Sequence, residues 1–377
     1  MKRLILWIAL FSPVLNQAQD ITKDTLTPFS TGASYITDQV CNFRGGINPG
    51  YAFLGMVSLE ATYDTRKIWS GGTIYVHAAN THGSMPSAEL TGDLQVVSNI
   101  EAGNHTYFQE LWYKHDFSKM SVTAGLQDLN ACFANSEYGS LFINSSFGIH
   151  PTISGNLSAP IFPLTTPGIS AEWKTGNNSK FLAAIHDGSP TDFDRNPYNI
   201  RWEHNAGDGL LEIAEFQQTL NIRQKHGLYK IGAFTHNHLL ENIIHKQFPD
   251  SLKHFIGGLY FVADQLLIEK NNTATGVFVQ ASVCPTRSCA VQSYIGAGFH
   301  LTGFLSKAHN DVLGFAVAHV NLAETAGSET SLELSWQKEI RRHVFIQPDL
   351  QYIIQPSGKD SGLKNCLTGL LRIGFTF

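Results

Sequence analysis

The chain ends with Leu367-Thr-Gly-Leu-Leu-Arg-Ile-Gly-Phe-Thr-Phe377, and this segment decides the fold. Side chains alternate across a β-strand, so the odd-numbered positions form an apolar face that ends on an aromatic ring. The even-numbered face carries Thr, Arg and Gly, which suits a wall between hydrocarbon and an aqueous lumen. The pattern favours a transmembrane antiparallel β-barrel of the bacterial outer membrane, although an edge strand of a soluble β-sandwich would look the same. The terminal aromatic also predicts that the barrel-assembly machinery engages the last strand.

Residues 1–18 have the pattern of a secretory signal peptide. A basic start is followed by an apolar run over 4–15 and by Ala18, a small residue suited to cleavage. The run is too short for a membrane helix, and no later run reaches the roughly 18 apolar residues that a spanning helix needs. We therefore predict a lead-in over 19–45, for which a periplasmic position is one option, and a barrel with inserted loops over 46–377.

The composition agrees with a barrel. Charged residues make up 15% of the chain, which is low for a soluble protein, whereas a mean hydropathy of -0.09 is too polar for a helical membrane protein. At roughly 22 to 24 residues for each strand and its connection, the mature chain would hold about 16 strands. The formal net charge is -5, and no basic patch in the sequence points to nucleic acid.

Alternating segments recur between Gly-, Asn- and Pro-rich turns with no linker, which predicts one all-β domain. The predicted strands are 72–79, 92–102, 107–116, 120–127, 181–187, 211–222, 228–236, 257–268, 276–283, 293–302, 311–320, 329–338, 343–354 and 367–377. A long stretch without a strand pattern, 139–170, either lies outside the barrel or folds into it as a constriction.

The cysteines and histidines suggest little further chemistry. The chain has five cysteines, and an odd count argues against a full disulfide framework. Cys284 and Cys289 flank a four-residue turn and are a candidate disulfide in an oxidising compartment, the alternative being two unpaired loop thiols. His236 and His238 share a strand face, but no third ligand has the spacing of a metal site, so we predict neither a metal nor a cofactor.

Several short motifs, in this order along the chain, resemble the carbohydrate-selective porins of the OprB family. They are Gly92-Asp93-Leu94-Gln95, Ser98-Asn99-Ile100-Glu101, Glu110-Leu111-Trp112-Tyr113, Leu141-Phe142-Ile143-Asn144-Ser145-Ser146-Phe147-Gly148, Asp264-Gln265 and Gln347-Pro348-Asp349-Leu350-Gln351-Tyr352. The resemblance extends from about Gly46 to Phe377. It implies a 16-stranded outer-membrane porin through which glucose and similar sugars diffuse down their gradient.

The residues themselves suggest how such a pore would recognise a sugar. Sugar hydroxyls need paired donors and acceptors, and the C–H faces of a sugar pack well on aromatic rings. Side chains with inward parity and this chemistry are therefore the candidate pore-lining residues. They are Asp93, Gln95, Asn99 and Glu101 on 92–102; Glu110, Trp112 and Lys114 on 107–116; Gln347, Asp349 and Gln351 on 343–354; and Arg372 on the last strand. On 92–102 this assignment turns Leu94, Val96 and Ile100 toward lipid.

Alternatives remain open at this point. For each candidate, the alternative is a side chain that only contacts water in the lumen or pairs with a residue across it. The expected partners are mono- or oligosaccharide solutes and outer-membrane lipid, and both a monomer and a homotrimer are compatible with a closed barrel.

A non-selective channel with the same fold is the first alternative function, and a barrel enzyme or a secreted β-rich hydrolase with Glu329 and Glu333 as acid and base is the second. The outward strand faces discriminate between these classes of protein. A porin needs a continuous apolar band, whereas a soluble hydrolase exposes charges there.

Overall fold

The computed structural model describes residues 27–204, 207–237, 255–286, 288–306, 308–323 and 327–377. The predicted signal peptide lies outside the described residues. In the described part of the chain, sixteen antiparallel strands form a closed barrel in which each strand pairs with its neighbours in sequence, and β1 pairs with β16.

The strands are β1 (Phe29–Gly46), β2 (Gly50–Asp64), β3 (Gly72–Gly83), β4 (His105–Asp116), β5 (Met120–Gln127), β6 (Thr166–Lys174), β7 (Ser179–Asp187), β8 (Leu210–Ile222), β9 (Lys225–His236), β10 (Ile256–Lys270), β11 (Thr273–Val283), β12 (Val291–Thr302), β13 (Asp311–Leu322), β14 (Ser328–Arg341), β15 (Val344–Ile354) and β16 (Lys364–Thr376).

The predicted fold class and strand number are confirmed. On β16 the expected inner residues Thr368, Leu370 and Arg372 are buried, whereas Leu371 and Phe377 are exposed on the outside. Large apolar side chains are exposed on the outward faces of strands all round the barrel. Examples are Leu59, Ile169, Phe181, Ile185, Ile231, Leu259, Ile295, Phe315, Leu334 and Leu350. This outward band is the surface that a barrel presents to hydrocarbon. None of the described helices is long and apolar enough to cross a bilayer.

The barrel begins earlier in the chain than the sequence boundary at residue 46. Phe29–Gly46 forms β1, which pairs with β2 on one side and with β16 on the other. Without this strand, β16 and β2 would be left as open edges in hydrocarbon, where unpaired backbone groups are costly. The sequence pattern missed β1, β2 and β6. On β1 the outward face carries Tyr35 and Gln39, so the contrast between its two faces is weak.

The connections differ between the two ends of the barrel. The start of β1 and the end of β16 lie at the end with short turns, which is the periplasmic end in bacterial barrels. The long connections lie at the opposite end, and two of them, 84–104 and 128–165, fold inward. We call them the first and the second infolded segment. They contain short helical turns and one helix, α1 (Pro151–Ser154). Residues 139–165 of the stretch 139–170 therefore take the inward one of its two expected positions, and 166–170 belong to β6.

The infolded segments create an apolar core inside the barrel. Phe133, Ile153 and Leu157 of the second segment pack against wall residues of β7 to β10. Phe142 and Phe147 pack against Phe278 and its neighbours on β11 to β13. The lumen is thus filled on one side by protein, and the open space is left near β2 to β6.

A disulfide joins Cys284 and Cys289 in the connection between β11 and β12, while Cys41, Cys132 and Cys366 are free thiols. Both bridged cysteines are buried in the core cluster of the second infolded segment.

We expect the tryptic peptides that contain these two cysteines to resist alkylation until a reductant is added, with a corresponding mass change on reduction. Cys132 is the internal control, because it should alkylate after unfolding without reduction. Identical masses with and without reductant would contradict the bridge.

The last residue closes the seam of the barrel. The Phe377 backbone N–H donates to the Ala33 carbonyl at 2.8 Å, and its own carbonyl accepts from the Ala33 N–H at 3.2 Å. Its ring stacks on His343, with 6.2 Å between centroids.

Deleting Phe377 should lower the yield of folded barrel in outer membranes, because it removes both the ring and the two seam hydrogen bonds. Folded barrel is measured by its altered electrophoretic mobility before and after boiling. Phe377→Ala is the matched variant, since it retains the backbone bonds and isolates the ring. A normal yield of the truncated chain would contradict this role.

Candidate functional site

The segment 92–102, predicted as a strand, is instead part of the first infolded segment. After β3 ends at Gly83, the chain turns into the lumen and passes Gly46, whose φ is +62°. A Cβ at Gly46 would lie 2.6 Å from the carbonyl oxygens of Leu90 and Thr91, so only glycine permits this close approach. Ile100 is buried within the lumen rather than facing lipid.

The apolar residues of this segment misled the strand prediction for a physical reason. Leu94 packs against the core of the second infolded segment, and Ile100 packs with residues of β1 and β2. Apolar partners inside the barrel thus produce an alternating pattern without a lipid-facing strand. The predicted outward orientation of Leu94, Val96 and Ile100 is therefore wrong.

A carboxylate on the barrel wall holds the first infolded segment. Glu329 on β14 accepts the backbone N–H of Leu94 at 2.8 Å and of Gln95 at 3.0 Å, and also that of Ser357 at 2.6 Å. Since Glu329 is fully buried, these charge-assisted bonds compensate its loss of water. The residue anchors backbone and is not placed as a catalytic acid.

Other wall carboxylates hold the second infolded segment in the same way. Glu333 accepts the N–H of Ile143 at 2.5 Å and of Asn144 at 3.1 Å. Asp264 on β10 accepts from the Ser136 hydroxyl at 2.6 Å. Glu215 on β8 accepts the N–H of Ala134 at 2.8 Å and the Tyr260 hydroxyl at 2.8 Å.

The space left between the infolded segments and the wall is a cavity of about 430 Å³. Seven of the predicted pore-lining residues border it. They are Gln95, Asn99, Glu101, Glu110, Trp112, Lys114 and Arg372. The tertiary structure therefore brings residues from the first infolded segment, β4 and β16 to one place.

Four predicted residues point into the barrel but do not line the cavity. Asp93 is buried and accepts a short hydrogen bond from the Thr91 hydroxyl. Gln347 donates to the Leu141 carbonyl at 2.7 Å, and Gln351 donates to the Val97 carbonyl at 2.9 Å. Asp349 lies beside Gln351, 3.2 Å from its amide nitrogen. The infolded segments cover this part of the wall, where Gln347 and Gln351 act as anchors.

An aromatic surface forms one wall of the cavity. The Trp112 ring stacks on Tyr75 of β3, with 4.9 Å between centroids and 29° between planes. The indole N–H of Trp112 donates to Glu110 Oε1 at 3.1 Å, and Glu60 of β2 also borders the space. Tyr75 and Glu60 were not predicted. For Tyr75 the available signal was its inward parity on 72–79, but β2 had not been recognised as a strand.

Arg372 has a different role from that of a free cation. Its Nε and Nη2 atoms each lie 2.7 Å from a carboxylate oxygen of Asp38 on β1, a bidentate pair across the seam. Nη2 also donates to Asn99 Oδ1 at 2.7 Å, and the Ser98 hydroxyl donates to Asp38 at 2.6 Å. The pair therefore fixes the end of the first infolded segment and directs Asn99 to the cavity.

Burial raises the pKa values of two loop carboxyl groups next to the cavity. Burial raises the pKa of Glu101 to about 7. The Ser87 N–H, 3.1 Å from each carboxylate oxygen, acts in the opposite direction and lowers this pKa. Burial likewise raises the pKa of Asp128 to about 6, although it accepts from the Asn130 N–H at 2.8 Å and the Gln109 amide at 2.9 Å. Both groups are poised so that a bound cation would favour their ionised form.

Of the two histidines considered as metal ligands, only His236 lies in the described part of the chain. His236 is buried and its ring nitrogen contacts the Gly188 carbonyl oxygen at 2.6 Å, and His238 lies outside the described residues. Asp187, His204 and Asp208, near the mouth of the barrel, offer ligand atoms within 4.8 Å of one another. His204 and Asp187 approach each other to 3.3 Å as an ion pair.

Comparison with known protein families gives a match to the model described as "Carbohydrate-selective porin, OprB family", over residues 48–377. The chain belongs to this family of outer-membrane transport channels. The predicted family, the predicted absence of enzymatic activity and the predicted location in the bacterial outer membrane are therefore confirmed. A hydrolase with Glu329 and Glu333 as acid and base is set aside.

Solved structures support the fold of this porin. Its similarity to the high-pH structure of Pseudomonas putida OprB has a TM-score of 0.84 at 16% identity, over 93% of this chain and 94% of that chain. The low-pH structure of the same protein gives a TM-score of 0.61 at 13% identity, over 93% of each chain. A loop-deletion mutant of Vibrio cholerae OmpT gives 0.56 at 10% identity, over 93% of this chain and 99% of that chain. The comparison with curated proteins gives no match.

The anchoring of the second infolded segment can be tested at Glu333. In Glu333→Gln an amide NH₂ replaces one of the two acceptors that face Ile143 and Asn144, which should destabilise the local anchor by about 1.5–3 kcal/mol. We expect a higher and noisier single-channel conductance from an otherwise folded barrel.

Glu339→Gln, at the opposite end of the same strand, is the matched control and should conduct like the wild type. An unchanged conductance trace for Glu333→Gln would contradict the anchoring role.

Proposed function

We propose that the cavity beside Trp112 is the constriction through which this porin passes mono- or oligosaccharides, glucose and similar sugars included, down their concentration gradient. The observation that carries the proposal is the stacked Tyr75–Trp112 surface, which lies among carboxylates and amides inside a membrane-spanning barrel. Membership in the carbohydrate-selective family supports the same solute class.

The side chains around the cavity match the two kinds of surface of a sugar. The ring face of Trp112 can cover C–H groups, which accounts for an aromatic residue in a wet lumen. Glu110 and Glu101 accept hydrogen bonds from hydroxyls, whereas Gln95 and Asn99 carry amides that both donate and accept. A volume of about 430 Å³ lies in the range of roughly 300–1,000 Å³ that is common for small-molecule sites.

Selectivity follows from the fixed position of these groups. The first infolded segment is tied to Glu329 and to the Asp38–Arg372 pair, so Gln95 and Asn99 are held at set positions against β4. A solute that replaces the water on these groups with matched hydrogen bonds passes at low cost, whereas a solute that leaves them unpaired does not. This mechanism requires no energy coupling.

The proposal extends to partners of the barrel. The outward apolar band would contact outer-membrane lipid, and β16 with its terminal aromatic would be engaged by the assembly machinery. A homotrimer is also proposed. A Vibrio cholerae OmpT structure described as a trimer form is similar in fold, with a TM-score of 0.54 at 9% identity over 93% of this chain and 99% of that chain. Cross-linking in outer membranes would test the trimer.

A non-selective diffusion channel is the second candidate function, favoured by the polar character of much of the cavity lining. The two candidates differ in whether sugars bind as they pass. Single-channel conductance of the mature protein in a planar bilayer, titrated with glucose, a disaccharide and a neutral non-sugar of similar size, distinguishes them. Saturable block by sugars alone supports the proposal, and conductance without block supports the non-selective channel.

Trp112→Ala should weaken block by glucose roughly three- to tenfold, because it removes the stacking surface. The substitution also removes the hydrogen bond from the indole to Glu110. The measurement is the concentration of glucose that halves the ion current. Trp173→Ala, which removes an exposed outward tryptophan of β6, is the matched control. Glucose should block its current at the same concentration as in the wild type. Equal block of all three proteins would place the sugar elsewhere.

A further inference from the structure

The positive charges at the cavity are already neutralised within the chain. Among the described residues that line it, Lys114 and Arg372 are the fixed cations. Arg372 is held at 2.7 Å by both oxygens of Asp38, and Lys114 Nζ lies 3.5 Å from Asp116. Neither cation is left to balance a carboxylate of the cavity wall.

Glu172 at the same cavity pairs with Lys180 at 3.0 Å, whereas three other carboxylates there have neutral neighbours. Glu110 accepts from the Trp112 indole at 3.1 Å, and Glu101 accepts from the Ser87 N–H. Glu60 shares a hydrogen bond with Tyr75. In the described part of the chain, no ion pair involves any of these three side chains. The aromatic surface is therefore bordered by three carboxyl groups that have no cationic partner among the described residues.

Buried polar atoms at the cavity add an independent indication of a ligand. Gln95 is 2% exposed, and neither its amide nitrogen nor its amide oxygen has a hydrogen-bond partner among the described residues. His77 Nε2 is also without one, in a side chain that is 5% exposed. Both residues line the cavity. Buried polar groups are normally satisfied, so these atoms point to a solute rich in donors and acceptors.

We infer that the constriction binds amino sugars, hexoses with a protonated amino group, more tightly than the corresponding neutral hexoses. This inference rests on the proposed function and names a preferred solute class for the same site.

The amino-sugar chemistry follows from the three observations together. An ammonium group offers three donors and a charge to Glu110, Glu60 or Glu101, which a hydroxyl cannot supply. The faces of Trp112 and Tyr75 also attract a cation. The remaining hydroxyls meet Gln95, which an inorganic cation of the same charge would leave unpaired.

The test compares single-channel block by glucosamine, glucose and N-acetylglucosamine at pH 7, where the amine of glucosamine is mostly protonated. In 0.1 M KCl we expect glucosamine to block at a concentration about fivefold or more below that of glucose, the effect of one close charge pair in water. N-acetylglucosamine, which keeps the substituent position but has no charge, should show no such advantage. In 1 M KCl, where the screening length falls to about 3 Å, the ratio should approach one.

Two variants locate the effect. Glu110→Gln and Glu60→Gln each remove a charge without changing side-chain size, and each should reduce the glucosamine-to-glucose preference at least twofold. Glu212→Gln, on the outward face of β8, is the matched control and should retain the preference. Using two cavity variants keeps the test valid if one of them fails to fold.

The outcomes separate this inference from the proposed function. Block by glucose with no additional affinity for glucosamine overturns the amino-sugar preference and leaves the sugar channel in place. A preference that survives in both Glu110→Gln and Glu60→Gln also overturns it. Absence of block by any of the three sugars overturns the proposed function itself.

Discussion

The interior of this barrel depends on hydrogen bonds from the backbone of two infolded segments to carboxylates on the wall. A chain that leaves the sheet and enters the lumen carries N–H groups that need acceptors, and an unpaired buried N–H costs as much as a lost hydrogen bond. Glu329 and Glu333 of β14, Asp264 of β10 and Glu215 of β8 provide these acceptors. Removing one of these carboxylates would leave buried N–H groups unpaired as well as a free segment, so the anchors define a single arrangement.

This arrangement decides where the open space lies. The second infolded segment fills the side of the lumen near β7 to β13 with an apolar core. The space that remains faces β2 to β6, where Trp112 and Tyr75 are stacked. The Asp38–Arg372 pair has a double effect, because it closes the seam between the first and last strands and positions Asn99. The architecture of the constriction is thus a consequence of which wall residues are acidic.

The candidate site was only partly predictable from the sequence. Glu110, Trp112 and Lys114 point to the cavity as parity predicts, because all three lie on the part of β4 that follows its register shift at Gln109. Gln95 and Asn99 reach the cavity for a different reason from the one expected, since their segment is not a strand. Gln347, Asp349 and Gln351 share the inward parity of lining residues but are covered by the infolded segments. Parity indicates inside or outside and carries no information on what else occupies the inside.

The sequence by itself determined the class of fold, the approximate number of strands and the family. These properties are repeated along the chain as local alternation and as short motifs, so each can be read without knowledge of distant contacts. Only the tertiary structure decided that 92–102 turns into the lumen, that Glu329 and Glu333 are anchors, and that Tyr75 and Glu60 border the constriction. The first two of these facts depend on contacts between residues far apart in the sequence, 235 positions for Leu94 and Glu329 and 190 for Ile143 and Glu333. No local pattern encodes which distant acceptor satisfies a given N–H.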